Sequence, residues 1–447
     1  MEKKKKRIRL QEMLLMLASV VITLAVALGL VRWLAPGLLG GPRDLVVVRS
    51  SKEVPPFFQG VFRQEDYAAA QDLIIPDPLI LRARPLLPDG FYEVGPHDIL
   101  GFRNRAVPNI ADVIVVGDSQ TYGNNAFLEE TWPRLLVARI KDRPATVYSM
   151  AVGGWAGVEY AAIIPYAMAF QPRVVVVAFY TGNDPLESFL RAYGNDAYEG
   201  LRPNPALSVE DAPALVFPAP ESEKWPVTFS GGVQTVFTPK LRLASNLDVP
   251  AVRAGYAIMK AAARMIAARA VKGGARPVFT IIPTKELVFR KRIETEGIQP
   301  PEDYTALVEA EAKNLQDLAE YLGSLPGAAY VDVAAPLQEA ARENLLLYKS
   351  NMDGHPLARG QDVIARALLP VVTPLLPILP RGPFVVEAVN GGERVLLAIR
   401  GRYFWVADPR ALEQGGWKRE DLPRLTIRDL GGMPYGGVLN KLPPAGP

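Results

Sequence analysis

Five short runs of β-branched and apolar residues punctuate the middle of this chain, and apolar residues recur at helical spacing between them. The runs predict strands over 112–117, 145–151, 173–180, 276–282 and 328–333. The intervening periodicity predicts amphipathic helices near 128–141, 156–170, 251–272, 304–323 and 358–370. Single strands separated by helices build βαβ units, so residues 106–376 read as an α/β domain with a mainly parallel sheet.

The flanks follow other rules. Residues 36–105 are rich in Pro and Gly (Pro36-Gly37, Gly40-Gly41-Pro42, Pro55-Pro56) with little helical periodicity, and read as a connector that becomes ordered. The stretch from Pro185 to Pro250 interrupts the strand–helix rhythm and reads as an insertion or lid over about 186–250. After Pro380, Phe384-Val-Val-Glu and Arg394-Val-Leu-Leu flank Asn390-Gly-Gly, a hairpin signal. Residues 377–447 are thus expected to form a small β appendage, with Tyr403, Trp405 and Trp417 packing its core.

The amino terminus predicts a membrane anchor within residues 1–35. Met13–Val31 is a run of 19 uncharged residues, close to the roughly 20 apolar residues that span a bilayer. It exceeds the roughly 7–15 apolar residues of a cleaved signal. Lys3–Lys6, Arg7 and Arg9 precede it, and such a cluster stays cytoplasmic, which places the rest of the chain outside, in the periplasm or on the cell surface.

Composition narrows the chemistry. The net charge of +3 is carried by the first twelve residues, which hold +4, leaving −1 for the remainder. No basic surface for nucleic acid is implied. There is no cysteine, so thiolate chemistry and Cys-bound metals are excluded. The chain has only two histidines, which argues against a His-rich zinc site, and neither a metal nor a cofactor is expected. His97, in Gly95-Pro-His-Asp98, reads as a surface-loop residue; His355 lies in Asp353-Gly-His-Pro356.

The strand Val113–Val116 runs into Gly117-Asp-Ser119, which sets a serine at the strand's C-terminal edge, where ligands bind in open α/β sheets. A serine nucleophile needs a base, and the base needs an acceptor that fixes its tautomer. His355 and Asp353 supply both within one turn. An acyl-transfer intermediate also needs donors for its oxyanion. Two further strand ends offer them: the Gly154 N–H after Tyr148–Val152, and the Asn183 side chain after Val174–Tyr180. Asp118 reads as a residue that holds the turn through its own hydrogen bonds.

These four blocks, in this order, resemble the SGNH (GDSL-like) hydrolase superfamily. The resemblance covers about 106–376, and Thr131-Trp-Pro-Arg-Leu-Leu136 is similar to that family's first helix. It implies a flavodoxin-like three-layer αβα sandwich. It also implies Ser119 as nucleophile, His355 as general base and Asp353 as orienter. The oxyanion hole would be the Ser119 and Gly154 N–H groups with the Asn183 side chain. The chain has Asp-x-His where the family usually has Asp-x-x-His. That variant is similar to membrane-anchored members and to polysaccharide O-acetyltransferases of the alginate-acetylation type. Ser149 stands where the glycine block normally begins with Asn, and Ile281-Ile-Pro-Thr-Lys-Glu286 is similar to a segment of anchored relatives, with no chemical role evident for Lys285.

The expected function is an extracytoplasmic serine O-acyl esterase or acyltransferase acting through an acyl-serine on acylated surface or exported polysaccharide. Its partners would be that ester, the membrane and a membrane acyl-donor protein. The alternatives are a lipase or thioesterase of the same type, or a non-catalytic polysaccharide-binding protein that uses the appendage.

Overall fold

The computed structural model describes residues 74–75, 82–83, 95–98 and 100–442. Within the last span, positions 109, 141, 142, 144, 215–218, 344, 381, 388–391, 400, 401, 431, 432, 434, 440 and 441 are excepted. The anchor expected at 13–31 lies outside the described residues, as does most of the connector. Among the described residues, no helix is long and apolar enough to cross a membrane.

The central sheet has five parallel strands: β1 Val113–Gly117, β2 Val147–Ala151, β3 Val174–Tyr180, β4 Arg276–Ile282 and β5 Ala329–Asp332. They follow the five predicted runs closely. Their spatial order is β2-β1-β3-β4-β5, the flavodoxin-like order of a doubly wound sheet. The helices are α1 Ser119–Tyr122, α2 Trp132–Arg139, α3 Gly157–Ala167, α4 Asp184–Gly194, α5 Pro250–Lys272, α6 Lys285–Thr295, α7 Glu302–Ser324, α8 Ala334–Arg342 and α9 Ala358–Val372.

Alternate residues of each strand point to opposite faces, and both faces are covered. Ile114, Val116, Val175 and Val177 pack with Ile163 and Ile164 of α3, Met259 and Ile266 of α5, and Leu318 and Leu322 of α7. Val113, Val115, Val174 and Val176 pack with Trp132 and Leu136 of α2, Val288 and Phe289 of α6, and Ile364 and Leu368 of α9. This explains why the strands read as unbroken apolar runs rather than alternating ones. Burying each such aliphatic side chain contributes about 1.5–3 kcal/mol.

One expectation needs revision, and two segments gain detail. The described part of the connector, from Gly95, belongs to the packed domain: Leu100, Phe102 and Arg103 are buried. His97 is not a surface residue but is 5% exposed, with Nε2 at 2.6 Å from the Tyr122 hydroxyl. A Gly-Pro-rich stretch looks solvent-facing in sequence, yet the buried end of Tyr122 requires a polar partner there. The insertion carries regular structure of its own. It opens with α4 and contains an antiparallel hairpin of Trp225–Thr228 with Gln234–Phe237, whose Phe237 stacks into the core beside Phe289 and Tyr304.

The carboxyl-terminal part is a mixed five-stranded sheet built from β6 Phe384–Glu387, β7 Glu393–Ile399, β8 Arg402–Val406, β9 Arg424–Leu425 and β10 Tyr435–Leu439, in the order β9-β6-β7-β8-β10. β6 and β7 pair antiparallel, as the hairpin signal requires. Trp417 packs on the inner cluster of Val385, Val395 and Leu412, and Trp405 on the outer one. Asp429 accepts a hydrogen bond from Arg173 of the central domain at 2.5 Å.

Candidate active site

The site forms at the C-terminal ends of β1 and β3. The chain reverses its winding direction between these two strands, and an open α/β sheet leaves a crevice there. Gly117 ends β1 because α1 returns so closely that any Cβ at 117 would lie 2.1 Å from Thr121 Oγ1. Asp118 caps α1 by accepting from the Gln120 N–H at 2.9 Å. That is the turn-holding role its position suggested. Ser119 follows as the first residue of α1, half-buried, so its N–H has no intrahelical acceptor.

His355 arrives from the segment between α8 and α9. Its Nε2 lies 2.8 Å from Ser119 Oγ, and its Nδ1 lies 2.6 Å from Asp353 Oδ1. The same Asp353 oxygen accepts from the His355 N–H at 3.0 Å, which closes a tight Asp-Gly-His turn. Nδ1 thus donates to the carboxylate and Nε2 is left as the acceptor facing the serine hydroxyl. Burial alone would raise the Asp353 pKa. The hydrogen bond and charge of His355, with the Asn125 amide, outweigh it and hold the carboxyl well below the usual range.

A second layer fixes this arrangement. Asn125 Nδ2 donates to Asp353 Oδ2 at 2.8 Å and approaches the His355 carbonyl at 3.3 Å. Asn125 sits in a turn with φ of 68°, which Asn tolerates better than most residues. Arg103 holds that turn from beneath, donating to the carbonyls of Tyr122, Gly123 and Ala126 at 2.7–3.0 Å and to that of Gly95 at 3.0 Å. Lys285, fully buried at the start of α6, donates to the carbonyls of Val236, Asn351 and Asp353 at 2.8, 2.8 and 3.2 Å. It ties the insertion hairpin to the segment that carries Asp353 and His355. Burial lowers its pKa to about 8, against the opposing pull of Glu286.

The expected oxyanion donors sit in the turns that follow β2 and β3. Gly154 occupies a turn after β2 at φ of 79°, a left-handed conformation that favours glycine. Its neighbour Gly153 passes beside the serine: a Cβ there would be 3.6 Å from Ser119 Cβ. Asn183 precedes α4 without capping it through its side chain. It lines the cavity next to His355. The following residue, Asp184, is instead buried and accepts from the Tyr180 N–H at 2.9 Å and the Tyr160 hydroxyl at 3.0 Å. Burial and the nearby Asp118 push its pKa well up, and burial pushes Asp118 up to about 6.

The cavity beside His355 measures about 420 Å³ and is lined by Asn124, Asn183, Leu186, Arg242, Met352 and Gly354, among others. Its walls come from the loop after α1, from the turn after β3, from the insertion and from the Asp-Gly-His segment. No group of acidic or histidine side chains suited to holding a metal occurs among the described residues.

The sequence reading missed Asn125, Arg103 and Arg242, and singled out Lys285 without a role. Each acts across a separation of many residues, and only the polar pair Asn124-Asn125 just after the serine helix gave a local signal.

No family model matches the chain, and no curated protein matches it. Solved structures do. TesA aligns at 17% identity over 59% of this chain and 99% of its own, with a TM-score of 0.33. The acetylxylan esterase Axe2 from Geobacillus stearothermophilus aligns at 14% identity over 59% of this chain and 94% of its own, with a TM-score of 0.32. A Bacillus subtilis protein aligns at 15% identity over 60% of this chain and 57% of its own, with a TM-score of 0.30. At such identity and overlap these likenesses do not assign the chain to a family.

Proposed function

We propose that this chain is a serine esterase or acyltransferase that works through an acyl-Ser119 intermediate. The single observation that carries this reading is the relay Ser119 Oγ–His355 Nε2 at 2.8 Å and His355 Nδ1–Asp353 Oδ1 at 2.6 Å. Such distances lie within the reach required of a nucleophile, its base and the group that orients the base.

In this reading Ser119 Oγ attacks the ester carbonyl while His355 Nε2 takes its proton. Asp353 stabilises the resulting imidazolium and keeps Nδ1 protonated. The oxyanion is met by the Ser119 N–H, the Gly154 N–H and the Asn183 side chain. His355 then returns its proton to the departing alcohol, which leaves an acyl-serine. Water or an acceptor hydroxyl, deprotonated by the same histidine, resolves it; water gives an esterase and a sugar hydroxyl a transferase.

We further propose a location outside the cytoplasmic membrane, held by the segment Met13–Val31, with O-acylated surface or exported polysaccharide as the substrate. The charge asymmetry of the amino terminus supports the location. The Asn124 and Asn183 amides on the cavity wall, beside the apolar Leu186, Leu241 and Met352, offer hydrogen bonds that suit a hydroxyl-bearing substrate. Rapid mixing with p-nitrophenyl acetate tests the chemistry. A nitrophenolate burst that disappears in Ser119→Ala supports it, and full turnover by that variant sinks it. Oligosaccharide acceptors added to the same assay separate transfer from hydrolysis.

A further inference from the structure

We propose that Arg242 is a specificity residue that pairs with a carboxylate carried by the ester substrate, on either its acyl or its alcohol part. The assignment rests on the serine-ester reading and names the substrate class for the same site.

Arg242 belongs to the insertion, in the helical segment Pro239–Ser245, and lines the cavity together with Asp353 and His355. Its side chain is 17% exposed, and its Nε lies 3.7 Å from Oε2 of the fully buried Glu286. Glu286 is itself held by the Thr238 N–H at 3.0 Å. Neither Arg242 Nε nor Glu286 Oε2 makes a hydrogen bond, so the two groups are held by charge across that gap. Nη2 lies against Gly354, where a Cβ would be 2.9 Å from it. This puts the fork next to the residue that separates Asp353 from His355. Among the described residues the Nη atoms make no hydrogen bond, and the charges of Glu286, Glu311 and Asp353 act on the guanidinium from nearby.

A guanidinium stays charged, and its planar fork matches a carboxylate in bidentate fashion. Leaving that fork unmatched when a substrate displaces cavity water carries a desolvation cost. An anionic group on the substrate removes the cost and gains the pair. The remaining acidic wall residue besides Asp353 is Glu187, and Arg191 lies 3.6 Å from it on the same helix. Glu187 is thereby engaged away from Arg242. Asn124 and Asn183 add hydrogen-bonding groups to a wall that also carries Leu186, Leu241 and Met352, so a hydroxyl-bearing acid fits it. A neutral ester leaves the Arg242 fork without a partner.

Two matched pairs of esters test this with the full chain in detergent. One pair is p-nitrophenyl hemisuccinate and p-nitrophenyl butyrate, which differ at the acyl end. The other is methyl O-acetyl-glucuronide and methyl O-acetyl-glucoside, which differ in the alcohol. We expect kcat/KM for the carboxylate member of one pair to exceed its neutral partner by at least ~10-fold, and that pair identifies the end Arg242 reads. Arg242→Met should reduce the preference by at least ~10-fold, and Arg242→Lys, which keeps the charge but not the fork, should fall between. The proposal is overturned if neither pair shows a preference, or if the preference survives Arg242→Met unchanged. Acyl-Ser119 measured by intact mass with p-nitrophenyl acetate separates the two claims: adduct without carboxylate preference defeats the Arg242 assignment alone, and no adduct with any ester defeats the underlying reading.

Discussion

Asn125 donates to Asp353 Oδ2 at 2.8 Å while His355 holds Oδ1 of the same carboxylate at 2.6 Å. The Asp353 carboxyl is thus gripped from both sides, once by the His355 imidazole and once by a residue six positions after Ser119. Because Asp353 is fixed by the loop that follows Ser119, the two halves of the site are registered to each other directly. Replacing Asn125 by Ala leaves both His355 contacts in place, so the expected loss is about 10-fold in kcat with little change in KM. Steady-state kinetics on p-nitrophenyl acetate checks this, and an unchanged kcat contradicts the positioning role.

Asp353→Asn alters chemistry rather than position. An amide at 353 stabilises an imidazolium less well and permits the wrong ring tautomer, so kcat should fall by about 10²–10⁴-fold. His355→Ala removes the base itself and should cost more. On the acid side the sign follows from the depressed Asp353 pKa. The ionised carboxylate stabilises the fold above the ordinary carboxylate range, and that contribution is lost as pH falls through and below it. Acid titration of unfolding should therefore show a shallower decline in Asp353→Asn than in the parent chain.

Lys285 connects the insertion hairpin to the Asp-Gly-His segment through three carbonyls. Lys285→Met leaves those carbonyls with one donor fewer in a buried setting, and a loss of about 1–3 kcal/mol is expected. The pH dependence is distinctive. The folded pKa is about 8 against an ordinary 10.5, so between these values the unfolded chain binds more protons. Lys285 therefore opposes folding fully below pH 8, and the penalty is relieved as pH rises toward 10.5. The stability gap between the parent and Lys285→Met should widen across that window, and a gap independent of pH contradicts the assignment.

Arg103 is buried and gives its guanidinium to four carbonyls, three of them in the turn that carries Asn125. Arg103→Met should destabilise the domain by about 3–5 kcal/mol, seen as a lowered Tm, because that many acceptors lose their donor together. A Tm within error of the parent sinks this account of the turn.

Much of this architecture is written locally in the sequence. The strands declare themselves because both faces are buried, so Val113–Val116 and Val174–Val177 need no polar alternation. Ser119, Asp353 and His355 stand out because a buried strand ends at the serine and one short turn holds a carboxylate beside one of only two histidines, and the structure brings them within hydrogen-bonding distance. What escaped is of two kinds. Helix α4 was hidden by Pro185, which reads as a breaker but sits in the helix's first turn, where proline is tolerated. Arg103 and Arg242 were hidden, and Lys285 was left without a role, because each meets its partners only after the chain folds: Lys285 reaches Asp353 across 68 positions. His97 was misread because a loop rich in Gly and Pro resembles surface, while its burial depends on the distant Tyr122 hydroxyl.

The most direct test of the central claim is the intact mass of the full chain quenched soon after mixing with p-nitrophenyl acetate, with the modified peptide then mapped. The expected result is a single acetyl group on Ser119, absent from Ser119→Ala, whose turnover falls by at least ~10³-fold while its melting temperature stays close to that of the parent. An acetyl group mapped to another residue, or undiminished turnover by Ser119→Ala, would contradict the claim that this serine is the nucleophile.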